Sequence, residues 1–486
     1  MYSEKNIDFL KKIIYSNSPW IENPEKILEP ETYKREAFYR VKKELEATHG
    51  NAVLIKGPRR VGKTEIQRQL VAELITSGVR PERILYLSFD DLQIISERPD
   101  DRAQIVQGIL DTWAGMLGAK TFDDIDFTIY CFFDEVQEVK DWAHLVKNRI
   151  ERNQRAKIVL SGSAAHSIFE KALKILLGRV IDVRLCPFSF REYLEMKGYI
   201  DKSVLSKVRN VQMAIENRLE AKDLYDGLFT ATEDCKDVQM RVYVSEFLKK
   251  GGFPQLWKMD QYTELERAQF MDDNYVKKVT LEDLMLLQAI KKPELYERLL
   301  RHLFARPGQE YNQQKVASEL GTTTVTLAEA MRLLEQTDLL IFVEKFSLKA
   351  EPLRRKNIKV YPVDLMLTTA MTRVIPTLET VTDKGMIAES LVAQTVSRLK
   401  NLSTLAFMQS SDIRFGGEID FYLRADLHDC PIEVKYQNSI RGGDIATLKR
   451  VVQERSLSGG VLVTIDQWQE TQGVYSIPLW ALMMLA

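Results

Sequence analysis

An apolar run, Ala52–Lys56, leads directly into Gly57-Pro58-Arg59-Arg60-Val61-Gly62-Lys63-Thr64, and a helical stretch, Lys63–Ser77, follows and stops at Gly78. The octet fits G-x-x-x-x-G-K-[ST] at every specified position and lies between a buried strand and a helix, where its chemistry requires it. Glycines let backbone N–H groups curl around phosphate oxygens, and the helix N-terminus adds partial positive charge. Lys63 supplies a full charge for the β- and γ-phosphates of ATP, and the Thr64 hydroxyl is a ligand for Mg²⁺. From about Asn51 to Leu185 short apolar strands alternate with amphipathic helical stretches, so this region is expected to be α/β, with a parallel sheet covered on both faces. Five strands are expected, at Ala52–Lys56, Ile84–Phe89, Thr128–Phe133, Lys157–Ser161 and Val180–Leu185.

Binding a nucleotide does not by itself split it. The second requirement is met by Ile129-Tyr130-Cys131-Phe132-Phe133-Asp134-Glu135, an apolar strand ending in two carboxylates. Asp134 is expected to hold the magnesium shell, and Glu135 to orient and deprotonate the attacking water. One strand later Ile158-Val159-Leu160-Ser161-Gly162-Ser163 ends in small polar residues, of which Ser161 or Ser163 is placed to sense the γ-phosphate. Arg179, just before the fifth strand, is a candidate arginine finger acting in cis or on a neighbouring copy.

The rest of the 486 residues is organised differently. From about Pro187 to Pro293 the periodicity is helical, and the Leu-rich stretch Leu281–Leu287 reads as core. Helical segments at Leu295–Phe304, Gln313–Leu320 and Val325–Thr337 then precede the apolar strand Leu339–Glu344. A basic segment follows, in which Lys345, Lys349, Arg354, Arg355, Lys356 and Lys359 outnumber Glu344 and Glu351. Three helices and a basic hairpin are the order of a winged-helix domain, with Thr322, Thr323, Thr324 and Thr326 near the start of its third helix available to phosphates. Such a patch matters because 68 Lys+Arg against 69 Asp+Glu leave a net charge of −1, so no global positive field attracts nucleic acid. The 45% hydrophobic and 28% charged content argues against a largely disordered chain. Neither a signal-peptide core nor a membrane-length apolar run is found, and four scattered cysteines without a CxxC suggest a cytoplasmic protein.

Beyond about Val363 a helix, Lys384–Lys400, precedes strands at Glu418–Leu423, Pro431–Tyr436 and Gly460–Ile465, with a helix at Gly443–Arg455, and this reads as a second α/β domain. Alternation places Ile419, Phe421 and Leu423 on one face of the first strand and Asp420 on the other. Glu433 and Lys435 share a side of the next strand, so pairing the two strands gathers Asp420, Glu433 and Lys435. Two acidic oxygens and a backbone carbonyl suit Mg²⁺, with a lysine beside the attacking water for phosphodiester hydrolysis. Glu389 on the preceding helix would complete the group, and Gln453 is a weaker addition. A salt-bridged strand face, or a scaffold without turnover, is the alternative.

These segments together resemble the prokaryotic AAA-type P-loop ATPases that join the nucleotide module to a C-terminal PD-(D/E)XK nuclease-like domain of unassigned function. The likeness rests on GPRRVGKT (Gly57–Thr64), FFDEVQEV (Phe132–Val139) with Trp142, LSGSAAHS (Leu160–Ser167) and LLGRV (Leu176–Val180), together with PFSFREYL (Pro187–Leu194) and GGFPQL (Gly251–Leu256). It implies an ASCE-type sheet of order 5-1-4-3-2, a helical lid and a winged helix, and E…D…ExK looks like the restriction-endonuclease-like core. The expected domains are 1–190, 191–292, 293–360 and 361–486. The expected function is ATP hydrolysis coupled to Mg²⁺-dependent action on DNA, in a homo-oligomer and without a membrane. The alternative is an ATP-dependent switch or partner-binding protein built on a non-catalytic scaffold.

Overall fold

The computed structural model describes residues 4–26, 30–47, 52–91, 99–163, 174–284, 292–346, 358–379, 384–409, 413, 416–425, 428–437 and 439–486. It divides into two compact units, Met1–Cys186 and Pro187–Ala486. The expected boundaries at 190/191, 292/293 and 360/361 all fall inside the second unit, the first of them four residues from its start.

In the first unit β1 (Ala52–Gly57), β2 (Ile84–Ser88), β3 (Ile129–Asp134), β4 (Ala156–Ser163) and β5 (Val180–Arg184) form an all-parallel sheet of order β2-β3-β4-β1-β5. This is the P-loop ATPase order. The helices are α1 (Glu4–Asn17), α2 (Glu36–Glu46), α3 (Lys63–Thr76), α4 (Pro99–Met116) and α5 (Trp142–Arg152). Both faces of the sheet are covered, so its strands are near-continuous apolar runs; Leu54, Leu87, Phe133 and Leu160 share one core with Ile109, Trp113 and Val146. Because β4 lies between β1 and β3, its end separates the loop after β1 from the acidic end of β3.

The exposed edge of this sheet is managed by the segment after α1. Ser18 Oγ donates to the Tyr86 carbonyl and accepts from the Tyr86 N–H, both at 2.8 Å. Trp20 Nε1 donates to the Ile84 carbonyl at 2.9 Å, and Asn17 Oδ1 accepts from the Ser88 N–H at 2.9 Å. These bonds satisfy backbone groups of the edge strand β2 that would otherwise invite another chain.

The second unit begins with helices α6 (Phe190–Lys197), α7 (Lys202–Asn217), α8 (Ala221–Ala231), α9 (Asp237–Lys250) and α10 (Glu264–Met271). The chain beyond α10 passes through π-helical turns at Asp272–Val276 and Val279–Asp283. Leu284 is fully buried there, but Leu281 is 47% exposed, which corrects the reading of Leu281–Leu287 as uniformly core; residues 285–287 lie outside the described residues. The wider π-helical turn shifts the apolar period, so a 3.6-residue pattern places Leu281 on the wrong face.

Helices α11 (Pro293–Ala305), α12 (Gln313–Glu319) and α13 (Thr324–Leu334) are followed by the antiparallel pair β6 (Leu340–Lys345) and β7 (Ile358–Pro362). After α14 (Leu365–Thr372) and α15 (Lys384–Val396) come β8 (Thr404–Met408), β9 (Ile419–Ala425), β10 (His428–Val434), α16 (Gly442–Glu454), β11 (Gly460–Thr464), β12 (Gln469–Thr471), β13 (Val474–Pro478) and α17 (Leu479–Met483). All eight strands form one sheet of order β12-β13-β11-β10-β9-β8-β6-β7, because β6 runs parallel to β8. The hairpin after the three helices is thus an edge of the C-terminal sheet. Helix α14 is buried from Leu365 through Met371 and packs against both α10 and α11, as a helix apolar all round must.

The two motifs PFSFREYL and GGFPQL meet in this unit. Ser189 and Glu192 form a reciprocal capping box that starts α6, the S-x-x-E spacing visible in the sequence. Arg191 is buried and donates to Gln212 Oε1 at 2.7 Å and to the carbonyls of Met484 and Leu485 at 3.4 and 3.2 Å. The Phe188 N–H donates to the Gly252 carbonyl, and the Gly252 N–H donates to Asp364, which also caps α14 through the Met366 N–H at 2.8 Å. A Cβ on Gly252 would lie 2.5 Å from the Phe188 carbonyl oxygen and 2.9 Å from Asp364 Oδ2. Gly252→Ala is therefore expected to destabilise the second unit by about 1–3 kcal/mol, as overpacking at a rigid joint does, lowering the urea midpoint without changing the slope. An unchanged midpoint would show that the joint yields freely.

Candidate functional site

At the end of β1 the backbone of Gly57 passes so close to Leu185 that a Cβ would lie 2.0 Å from its carbonyl oxygen. Gly62 adopts φ +99° at the start of α3, a left-handed conformation that glycine takes without strain. Arg60 also has positive φ, +62°, and the loop apex is held from outside by buried Arg35, whose Nη1 donates to the Val61 carbonyl at 3.0 Å. Lys63, itself buried, donates from Nζ to the carbonyls of Gly57 and Pro58 at 3.0 and 2.9 Å, so its ammonium lies over the loop.

Asp134 is the centre of this site. Thr64 Oγ1 donates to its Oδ2 at 2.6 Å and the Tyr86 hydroxyl to the same oxygen at 3.0 Å, while Ser161 Oγ and the Glu135 N–H donate to Oδ1, the latter at 3.1 Å. Burial, and then the charge of Asp134, push the Tyr86 phenol up from its ordinary value, so it remains a donor. Glu135 has φ +51°, a left-handed conformation that turns its side chain out of the strand direction, and Gln137 Nε2 donates to its Oε2 at 2.6 Å. A non-glycine residue held there is the kind of backbone strain that collects at working sites. The touching pair Thr64 and Asp134, beside Lys63, is a donor set that fits a magnesium-bound triphosphate.

The structure thus brings together Gly57, Pro58, Arg59, Arg60, Val61, Gly62, Lys63, Thr64, Asp134, Glu135 and Ser161. Ser163 lies at the end of β4, with its side chain outside the described residues. Arg179 is elsewhere: its carbonyl accepts from the Ala52 N–H at the start of β1, and its guanidinium pairs with Glu151 at 2.6 Å. The phosphate loop follows the other end of β1, a full strand length away at ~3.3 Å per residue. The in-cis half of the expectation for Arg179 is corrected by that placement.

A second cluster lies in the C-terminal sheet. The antiparallel register of β9 and β10 pairs Phe421 with Ile432, so Asp420 and Glu433 are opposed one step further on. Both are buried, and Asp420 Oδ2 accepts from the Val434 N–H at 2.9 Å. Lys435 pairs with Glu433 Oε1, while Glu433 Oε2 is buried without a hydrogen-bond partner. On α15, Glu389 accepts from the Tyr361 hydroxyl at 3.4 Å. Gln453 is exposed.

The expected three-carboxylate set is not closed. Among the described residues no three His, Cys, Asp or Glu side chains converge as a ready metal cage. The reason lies in Lys359 of β7, whose ammonium is 2.7 Å from Glu418 and 3.6 Å from Asp420. Burial pushes Glu389 and Glu433 up to about 8, and in each case the charge of Asp420 adds to the effect. Against the downward pull of burial, Asp420, Glu389 and Glu418 hold the Lys359 ammonium above its ordinary value. The two carboxylates of Asp420 and Glu433, the latter with one buried oxygen lacking a hydrogen-bond partner, still fit Mg²⁺, which commonly takes only one or two protein carboxylates and keeps its waters.

Residues 49–194 match the family model for an AAA domain, and residues 242–377 match that for a domain of unknown function, DUF8612. The first unit therefore carries an AAA-type P-loop domain. An uncharacterized protein of Haemophilus influenzae is 24% identical over 318 residues, 64% of this chain and 66% of its own length. An uncharacterized protein of Methanocaldococcus jannaschii is 21% identical over 346 residues, 70% of this chain and 65% of its own length. The chain thus spans just under two thirds of each relative. The AMPPCP-bound structure of DnaA from Aquifex aeolicus shares 16% identity over 65% of this chain and 91% of its own, with a TM-score of 0.26.

Three residues that line these sites escaped the sequence analysis. In the AAA-type domain Tyr86 sits in an apolar strand and Arg35 lies upstream of the motif, so neither carries a local signal. Lys359 reads as one of six basic residues of a hairpin, although its side chain is only 6% exposed. The folded state keeps the Glu389 and Glu433 protons up to about pH 8, whereas an unfolded chain releases them near the ordinary value of 4.5. Folding binds protons across that window, so stability is full below it and is lost as pH rises through about 8. In EDTA the unfolding midpoint of the second unit is expected to fall between pH 5 and 9 on this account, with a flatter profile in Glu389→Gln or Glu433→Gln; equal profiles in urea titrations would contradict it.

Proposed function

We propose that this chain is an ATPase whose hydrolytic cycle serves a DNA-acting, metal-dependent nuclease centre. The observation that carries the ATPase half is the convergence of Thr64, Tyr86 and Ser161 on Asp134, beside Lys63 and Glu135. In this reading Lys63 and the loop N–H groups hold the phosphates of ATP, and Thr64 and Asp134 hold Mg²⁺, directly or through its waters. Glu135, kept in place by Gln137, accepts a proton from the attacking water, and Ser161 reports on the γ-phosphate through Asp134. Arg179, remote from its own loop, is assigned to a neighbouring copy in a homo-oligomer.

The domain reading is 1–190 for the N-terminal segment and ATPase, 191–292 for a helical lid, 293–360 for a winged helix and 361–486 for the nuclease-like domain. Support for the winged helix comes from α11, α12 and α13 followed by the β6–β7 hairpin, and from the bridge between Glu310 and Lys359 that ties the α11–α12 connection to it. At the tip of α13, Thr323, Thr324, Val325 and Thr326 are exposed, Val325 by 77%, which suits contact with a phosphate backbone and base edges. Lys345 is described, whereas Lys349, Arg354, Arg355 and Lys356 lie outside the described residues. Support for the nuclease centre comes from Asp420 opposed to Glu433, with Lys435 on the latter. A divalent cation held by the two carboxylates would supply Lewis-acid chemistry at a phosphodiester. Lys435, its ammonium kept charged against burial by Glu433, would hold the attacking water.

A second reading, an ATP-dependent switch or partner-binding protein on a nuclease-like scaffold, is favoured by Lys359 lying among the carboxylates. Among the described residues no helix is long and apolar enough to cross a membrane. All four cysteines are free, which supports a cytoplasmic setting.

Glu135→Gln is expected to bind ATP normally and to lose about 10²–10⁴-fold in turnover, the usual worth of a general base, checked by phosphate release. Persistent turnover removes Glu135 from that role. With Mg²⁺ or Mn²⁺ the protein is expected to cut DNA, and Asp420→Ala to abolish cutting while sparing ATP turnover. Uncut DNA under every metal and substrate moves the assignment to the scaffold reading.

A further inference from the structure

The residue that the nuclease reading leaves without a task is Lys359. It does not belong to the strands that carry the acidic pair; it comes from β7, the last strand of the hairpin after α13. Its backbone is held on both sides, by Val343 of β6 and by the bridge to Glu310. Its side chain leaves this edge and inserts between Glu418 and Asp420, with the ammonium also 5.3 Å from the centre of the Phe407 ring. A lysine this buried is rare unless paired, and here it is paired with the carboxylate that a cation would need.

The placement of charge points the same way. Glu389, Glu418 and Asp420 face Lys359, which touches Glu418 and Asp420 directly, so its ammonium occupies the surroundings of the carboxylate that a cation would share. The buried Oε2 of Glu433 has no partner, an orphan acceptor inside the cluster that Lys359 does not reach. A cation accepted by Asp420 and that oxygen meets the ammonium already facing Asp420 Oδ1. Either the cation binds weakly or Lys359 withdraws toward Glu418, whose side chain is 54% exposed at the rim.

We infer that Lys359 is a tethered counter-ion that competes with a divalent cation for the Asp420–Glu433 pair, so that the hairpin carrying it sets the metal affinity of the nuclease-like centre. This rests on reading that pair as the metal-holding one. A neutral side chain of the same length at position 359 then improves the site for metal, the opposite of what loss of a structural ion pair or of a metal-supporting lysine would do.

The test is Mn²⁺ binding to the full chain without nucleotide, followed by calorimetry. Lys359→Met is expected to tighten binding by about tenfold or more, because it removes a like charge from a low-dielectric site. Lys359→Arg, which keeps the charge, is expected to remain near the wild-type affinity, and Asp420→Asn added to Lys359→Met to abolish binding. Wild type and Lys359→Met binding with equal affinity overturns the competition while leaving the metal pair in place. Absence of binding in both overturns the metal reading and this inference with it. Should Lys359→Met not fold, acetylation of the wild-type chain decides: Mn²⁺ is expected to raise the mass-spectrometric labelling of Lys359 as its ammonium leaves the cluster, and unchanged labelling overturns the proposal.

Discussion

One buried carboxylate organises the first unit. Asp134 ends β3 with both oxygens engaged, by Thr64 from α3, Tyr86 from β2, Ser161 from β4 and the backbone of Glu135. A charge taken out of water is costly unless hydrogen-bonded donors replace its hydration, and here the donors come from three different elements. Their convergence fixes the mutual positions of the loop helix and three neighbouring strands more tightly than apolar packing alone would. Strand order makes this possible, since β4 must lie between β1 and β3 for Ser161 to reach across.

The second unit shows the complementary situation, buried carboxyl groups that are only partly supplied with donors. Asp420 and Glu433 are opposed across antiparallel strands, and desolvation together with mutual repulsion pushes Glu433 and the nearby Glu389 toward their protonated forms. Such clusters are expensive to fold, and perturbed groups of this kind collect at functional sites. Lys359 reaches Glu418 and Asp420 from β7, at the edge of the same sheet. The same economy appears at Asp364, which one carboxylate uses both to cap α14 and to fix Gly252.

Much of the first unit was legible because its signals are local. The phosphate loop, the acidic strand end and the helix from Lys63 are contiguous patterns, and parallel strands buried on both faces appear as apolar runs near their true limits. The sheet order came from the family likeness, and strand spacing alone would not have supplied it. In the second unit the three helices, the hairpin and the strands of Asp420 and Glu433 were visible. The pairing of β6 with β8 was not, because a parallel contact between strands some sixty residues apart leaves no mark on either. Arg179 and Lys359 show the same limit for single side chains. Each sits in a segment whose composition suggests one role, and only the tertiary partner, Glu151 or Asp420, reveals another. Leu281 was misplaced because a π-helical turn breaks the period on which the inference relied.

Everything assigned to the AAA-type domain depends on Lys63 and its loop enclosing a triphosphate. The most direct measurement is a calorimetric titration of the chain with ATP in the presence and absence of Mg²⁺, alongside Lys63→Ala. The account predicts saturable binding that Mg²⁺ tightens and that the alanine variant loses. No heat of binding, or an equal affinity in Lys63→Ala, would contradict it.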